Sequence, residues 1–348
     1  MSKARQLADN GAATPNRNMV INGAMNVAQR ATSATGLGDG DVNAYHTLDR
    51  FQLSHSSTAG RLTMTQTADG PVGFENCLKL DCTTADTSIA AGEYLLLEYH
   101  IEGQDLQRIK KGTSDAEEVT ISFYVKANAA FNFVLEFYDN DNNRTCSKLF
   151  STTTSWNRVE LTYPADTTGA FGDDNASSVR LFFWIHAGST YTGGTLNSSA
   201  FNTQSSANRA PGISSFYSST NNELYITGVQ MEVGPQSTPF EHEPVGVTLS
   251  KCQRYFAKMY YGATAANAGY GNSYGSYFPT PAIMRVTPTA SVNTTFAQYP
   301  GATHITPTIN VTGGPGAANG EQTFIRPFHV GTNSSDYLEG AINVDAEL

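Results

Sequence analysis

Residues 223–256 read ELYITGVQMEVGPQSTPFEHEPVGVTLSKCQRYF, and this stretch decides how the chain is organised. Leu224 and Ile226 share one face of a strand while Val229, Met231 and Val233 fall on the other, so the alternation slips by one residue near Thr227-Gly228. A β-bulge accounts for the slip. Gly234-Pro235 ends the strand because proline has no amide donor for a ladder, and Pro239 and Pro244 keep the following residues extended. Val245, Leu249, Cys252 and Phe256 then recur at helical spacing, which predicts a short helix over 245–256 that packs under the preceding sheet, with Arg254 outward or paired locally. The stretch reads as a junction between two domains.

Working outward, strands dominate. Val119, Ile121, Phe123 and Val125 alternate with polar residues, as do Phe131, Phe133, Leu135 and Phe137; Leu95, Leu97, Tyr99 and Ile101 form another row, and Val159, Leu161 and Tyr163 a fourth. Polar turn residues separate them, notably Asp139 to Asn143. Gln104 to Lys110 reads as one surface helix. Ser189 to Ser219 is long for a structureless connection and is therefore a folded flap or a contact surface. Many short strands with little helix predict an all-β sandwich over 16–244. Beyond Tyr260 the composition shifts to Gly, Ala, Tyr, Asn and Thr, marking a smaller β-rich domain over 257–348, where Leu338, Gly340, Ile342, Val344, Ala346 and Leu348 alternate as a terminal strand.

The 348 residues suffice for a real core and two domains. A formal net charge of −10 argues against gripping nucleic-acid phosphates through a basic surface. No apolar run approaches the ~20 residues that cross a bilayer, and MSKARQLADNGAATP has no signal-peptide core, so no membrane insertion is expected. The four cysteines lack metal-site spacing; Cys77 and Cys82 point to opposite faces of one strand, and four free thiols are expected.

The order of several segments resembles tail-fibre and related virion proteins of bacterial viruses. NRNMVINGAMNVAQR (Asn16 to Arg30) looks like their opening strand and YHTLDRFQL (Tyr45 to Leu53) like their second signature; ITGVQMEVG, TPFEHEPVG and LSKCQRYF follow in the same order. MRVTPTASV (Met284 to Val292) and INVDAEL (Ile342 to Leu348) look like strands that close the distal domain of that family. The resemblance implies a jelly-roll sandwich like that of carbohydrate-binding modules, a homotrimer, other virion proteins as partners, and a place in the extracellular particle after assembly in the host cytoplasm. Residues 1–15 would be a docking peptide or a flexible start.

Two aromatic groups are candidate glycan contacts. In VRLFFWIH (Val179 to His186), Val179, Leu181, Phe183 and Ile185 make one apolar face, and Phe182 and Trp184 put rings on the other. Rings on a sheet face suit the apolar faces of sugars, and the competing reading covers that strand on both sides with a flap or another subunit. Tyr270, Tyr274 and Tyr277, with Tyr260 and Tyr261, form a second group in the distal domain, for recognition or subunit packing.

Catalytic-looking motifs fail their tests. Gly271-Asn272-Ser273-Tyr274-Gly275 lacks the strand and helix of a nucleophile elbow. Asp139, Asp141 and Asn143 mimic a calcium loop, but Arg144 stands where glycine belongs, so a hairpin turn is expected. Adjacent Asp173 and Asp174 cannot flank a glycosidic bond, and Gly36 to Gly40 lacks phosphate-loop spacing. No catalytic residue, cofactor or metal ligand is therefore assigned. The expectation is a tail fibre that binds a host-surface glycan; the rivals are a head decoration, knob or connector with a structural role, and a polysaccharide depolymerase.

Overall fold

A computed structural model describes residues 16–264, 273–274, 278–293, 296–299, 303–305, 308–312, 324–330 and 337–348. The chain forms two compact units, Met1–Glu243 and Pro244–Leu348. It is all-β: a jelly-roll sandwich, then a short helix and a smaller β-rich unit.

The first unit contains β1 (Ser33–Leu37), β2 (Val42–Ala44), β3 (Phe51–Ser56), β4 (Arg61–Thr67), β5 (Cys77–Thr84), β6 (Tyr94–Glu102), β7 (Val119–Ala127), β8 (Asn132–Asp139), β9 (Arg144–Ser151), β10 (Asn157–Tyr163), β11 (Ser177–Ala187), β12 (Asn202–Thr203) and β13 (Glu223–Val233). They build a six-stranded sheet, β1-β4-β5-β13-β7-β10, and a seven-stranded sheet, β12-β9-β8-β11-β6-β3-β2, whose neighbours all run antiparallel. The predicted inward rows meet in one core. Phe123 of β7 lies edge-on to Phe183 of β11 at 5.3 Å and to Phe150 of β9 at 5.0 Å, so rings from both sheets interlock.

β13 carries the expected bulge. Its register against β7 shifts between Thr227 and Gln230, and Leu224, Ile226, Val229 and Met231 all enter the same core. Gly228 stands at φ +62°, and a Cβ there would lie 2.8 Å from the Phe74 ring and 2.9 Å from Tyr124, so glycine is needed both for the turn and for the ring above it. The bulge also frees backbone groups for the first described residues. Met19 N–H donates to Met231 O at 2.9 Å, Val229 N–H to Gly23 O at 2.9 Å, and Met231 N–H to Asn18 Oδ1 at 3.0 Å. Asn16 to Arg30 is thus a strap docked on β13 and not the opening strand its resemblance implied. Asn22 explains the difference: its amide bonds Val27 O and its carbonyl oxygen accepts from Val27 N–H, a local loop that competes with a ladder.

Past Gly234-Pro235 the chain folds back along the outer face. Thr238 N–H donates to Glu232 Oε1 and Glu241 N–H to Gln230 Oε1, each at 2.8 Å, while the Glu241 carboxylate accepts from Asn16 N–H and Asn18 N–H at 2.9 Å. The start and end of the sandwich are therefore tied together. Gln104 to Lys110 is two separate 3-10 turns, Gly103–Asp105 and Gln107–Ile109, closed by Lys110 at φ +53°. No single helix spans it.

The second unit begins with a helix, Val245–Gln253, shorter than predicted. Phe256 opens a strand instead, because β14 (Phe256–Thr264) pairs residue for residue with β22 (Tyr337–Asp345). The stripe is correspondingly incomplete: Cys252 is buried, but Val245 is 53% exposed. β22 also pairs β17 (Thr289–Val292) and β18 (Phe296–Tyr299), as the terminal alternation suggests, and Met284, Ile325, Ile342 and Val344 form a small core.

Candidate functional site

The outer face of the seven-stranded sheet is a grid set by strand register. Gln52, Glu98, Phe182, Glu136 and Ser147 lie in one row across β3, β6, β11, β8 and β9; Ser54, Leu96, Trp184, Val134 and Leu149 lie in the next. Phe182 and Trp184 do project outward from β11, as the alternation requires, but Trp184 is 1% exposed. The covering alternative is the one the protein adopts. Residues 189–219 fold over these rings, with Tyr191, Leu196, Ala210 and Ile213 packed on them.

A charged clamp holds this flap. Glu136, wholly buried, accepts from Trp184 Nε1 at 2.7 Å, from Thr145 Oγ1 at 2.6 Å and from Arg209 Nε at 2.9 Å, with Arg209 Nη2 ion-paired to it at 2.9 Å. The Arg209 guanidinium lies 4.7 Å from the Trp184 ring centre and 5.0 Å from that of Phe182. In this arrangement the two rings are core groups, so as surface glycan contacts they are corrected.

The opposite outer face, on the six-stranded sheet, keeps its aromatic groups half-exposed. Ser33, Thr65, Lys79, Tyr225 and Lys126 line up across β1, β4, β5, β13 and β7. Trp156, in the turn before β10, closes the row beside Lys126, and its Nε1 donates to Asp69 O at 3.1 Å. The Lys126 ammonium lies 4.5 Å from the Tyr225 ring centre and 5.2 Å from that of Trp156, and is held by Asp69 Oδ2 at 2.7 Å. Beside the row, Phe74 packs on Tyr124 at 5.3 Å and on Phe240 at 4.9 Å, above the bulge glycine. Aromatic surface, ammonium groups and carboxylates are thereby set side by side on a rigid sheet.

The polar groups of this row have shifted proton affinities. Hydrogen bonding from Lys79 Nζ, 2.7 Å away, holds the Glu223 carboxyl below its ordinary range, with a second bond from Tyr225 Oη at 2.9 Å. Burial works to lower the Lys79 ammonium but is outweighed by Glu223, Tyr225 and Asp81, so its net shift is upward. Burial, then Glu223, pushes the Tyr225 phenol up to about 12. At neutral pH the site therefore presents a carboxylate acceptor, an ammonium donor and a neutral phenol, which suits hydrogen bonding to a polar ligand more than proton transfer.

Tyr270 and Tyr277 lie outside the described residues, and Tyr274 lies in β15 (Ser273–Tyr274), where Ser273 pairs with Val330 and Tyr274 with His329. The calcium mimic is the β8–β9 hairpin turn: Asp139 is buried against Lys111 Nζ at 2.7 Å and caps Asn142 N–H at 3.1 Å. Asp174 Oδ1 accepts from Ala176 N–H in a turn. All four cysteines are buried and none is in a disulfide, and burial pushes the Cys77, Cys82 and Cys146 thiols up to about 11. Asp86, Glu93 and His186, which no spacing singled out, converge with their ligating atoms within 4.8 Å of one another.

No protein-family model and no curated protein matches the chain. Among solved structures it is similar to a family 30 carbohydrate-binding module, at 10% identity and TM-score 0.32 over 66% of this chain and 93% of the other. It is also similar to the xylan-binding domain of a Paenibacillus barcinonensis protein, at 12% identity and TM-score 0.28 over 59% and 94%. A third likeness is to the enzymatically active domain of tailspike protein 4 from bacteriophage CBA120, at 11% identity and TM-score 0.31 over 63% of this chain and 22% of that one. Likeness at this level carries no argument about what this chain binds.

Proposed function

We propose that this chain is a non-enzymatic virion protein, a tail fibre of a bacterial virus, and that its sandwich binds a host-surface glycan on the outer face of the six-stranded sheet. The observation that carries the binding site is the half-exposed row of Tyr225, Lys126 and Trp156, with Lys79 and Glu223 beside it. Pyranose rings present C–H groups that pack on aromatic faces and hydroxyls that pair with ammonium and carboxylate groups. Five strands at about 4.8 Å spacing make the row about 19 Å long, enough for an oligosaccharide. The virion assignment rests on the order of the sequence segments from Asn16 to Leu348, and the homotrimer follows from the same resemblance.

The test is binding of the purified, labelled full-length protein to a broad array of bacterial surface polysaccharides, beside the double variant Trp156→Ala, Tyr225→Ala. Two stacking rings at about 1 kcal/mol each predict roughly 30-fold weaker binding by the variant. Equal affinity of the two proteins would remove the site. A wild-type protein that binds no glycan and sits in the capsid lattice would be a head decoration instead.

A further inference from the structure

Three segments of the sandwich converge beside the start of β6: the single loop between β5 and β6, the end of β11, and the flap. Asp86 follows β5 of the six-stranded sheet, Glu93 precedes β6, His186 ends the core part of β11, and Ser215 closes the flap. The first three are all buried, His186 completely. Each is held in place. Asp86 Oδ2 accepts from Ala59 N–H at 2.8 Å and Oδ1 from Ser88 N–H at 3.1 Å, while Asp86 N–H donates to Tyr217 O at 2.8 Å. The Glu93 backbone carbonyl accepts from Gly188 N–H at 2.8 Å, and His186 Nδ1 meets Ser215 Oγ at 2.8 Å.

What the protein does not supply is a partner for the atoms that face one another. Glu93 Oε2 and His186 Nε2 are buried without a hydrogen bond, and they lie 3.7 Å apart. That separation is beyond a hydrogen bond. A buried carboxylate oxygen without a partner is costly, and a second acid, Asp86, adds like charge.

We propose that Asp86, Glu93 and His186 bind one divalent transition-metal ion of the zinc type, with Ser215 orienting the imidazole from its second nitrogen. A cation about 2.1 Å from both a nitrogen and an oxygen, at a tetrahedral angle, leaves them about 3.4 Å apart, close to the observed spacing. Two carboxylates balance its charge, and the Nδ1–H donated to Ser215 Oγ leaves Nε2 free to coordinate, the usual outer-shell device. The mixed nitrogen and oxygen set selects zinc or cobalt over calcium, which prefers oxygen alone. A water completes the coordination. The ion would join a loop of the six-stranded sheet to β11 of the other sheet and, through Ser215, to the flap. The site does not depend on the glycan reading.

The experiment uses the full-length protein stripped with chelator and dialysed. Zn2+ binding is measured by metal analysis after gel filtration, and Co2+ serves as a spectroscopic probe. We expect one tightly held zinc per chain, a cobalt complex with the visible absorption of a low-coordinate nitrogen and oxygen site, and a higher unfolding temperature with zinc. The near-isosteric Glu93→Gln should bind at least tenfold more weakly, and Ser215→Ala about tenfold more weakly, with the fold checked by circular dichroism. Failure of the folded wild-type protein to take up zinc or cobalt overturns the proposal. So does uptake that Glu93→Gln and Asp86→Asn leave unchanged, which would place the metal elsewhere.

Discussion

Replacing Glu136 with alanine should release the flap. The carboxylate receives three donors, Trp184 Nε1, Thr145 Oγ1 and Arg209 Nε, beside the ion pair with Arg209 Nη2, and its removal leaves an indole N–H, a hydroxyl and a guanidinium without their acceptor. The Arg209 side chain is only 16% exposed, so water rescues little of its charge. Breaking a buried ion pair from one side costs about 3–5 kcal/mol, and the loss should fall in that range. Glu136→Gln keeps the shape and an acceptor and should lose less, about 1–3 kcal/mol. The chain has two tryptophans, so Trp156→Phe makes Trp184 the sole indole emitter. In that background, urea unfolding followed by Trp184 emission gives the stability, and a red-shifted native spectrum reports wetting of the ring. Arg209 is also the one basic residue between 189 and 219, so trypsin cleavage after it reports opening of the flap directly. A Glu136→Ala protein within about 1 kcal/mol of its parent, with unshifted emission and unchanged cleavage, would refute the clamp.

Gly228→Val should destabilise the sandwich by about 2–4 kcal/mol, from a left-handed backbone and from overpacking against Phe74 and Tyr124; a shift in urea midpoint worth under about 1 kcal/mol would refute the need for glycine there. Acid should weaken the fold partly through His100. Its folded pKa is lowered, by burial first and then by Arg180 and Arg50 against the pull of Glu98, so the ring stays neutral while the unfolded chain takes a proton. Stability therefore falls as pH drops below about 6.5, by up to about 1.4 kcal/mol per unit from this group, and His100→Gln should flatten that slope in denaturation curves at pH 5 to 7.

The strands and the bulge were legible because each is written in residues a few positions apart, whereas alternation placed Phe182 and Trp184 on the outer face without deciding between a ligand and the flap that covers them. Period-two alternation specifies which side chains enter the core, and a slipped alternation specifies a bulge. The strap at Asn16 to Arg30 was misread as a strand because its apolar residues conceal what Asn18 and Asn22 do with their amides. The helix stripe overran because Phe256 serves two patterns, and pairing with Asp345 claimed it for β14. The Trp156–Tyr225 row was not singled out at all. Tyr225 is the ordinary polar-face residue of β13, Trp156 stands in a turn, and only the register of β5, β13 and β7 makes them neighbours of Lys79 and Lys126. A tryptophan amid polar residues was the available signal. Asp86, Glu93 and His186 were beyond reach for a related reason, since only the fold brings the β5–β6 loop, which carries the two acids, beside His186 near the end of β11.

The position of β13 has a consequence for synthesis. It is the last strand of its unit to be made, yet it lies in the interior of the six-stranded sheet, between β5 and β7. Until residue 233 leaves the ribosome, β1-β4-β5 and β7-β10 are separate pieces, and each offers an open edge to any extended chain nearby. Neighbouring nascent copies on one message are such chains, and pairing of their edges would compete with insertion of β13. Slowing translation at a point where the chain has emerged as far as Glu241, whose carboxylate ties to Asn16 and Asn18, would give the cis insertion time to win.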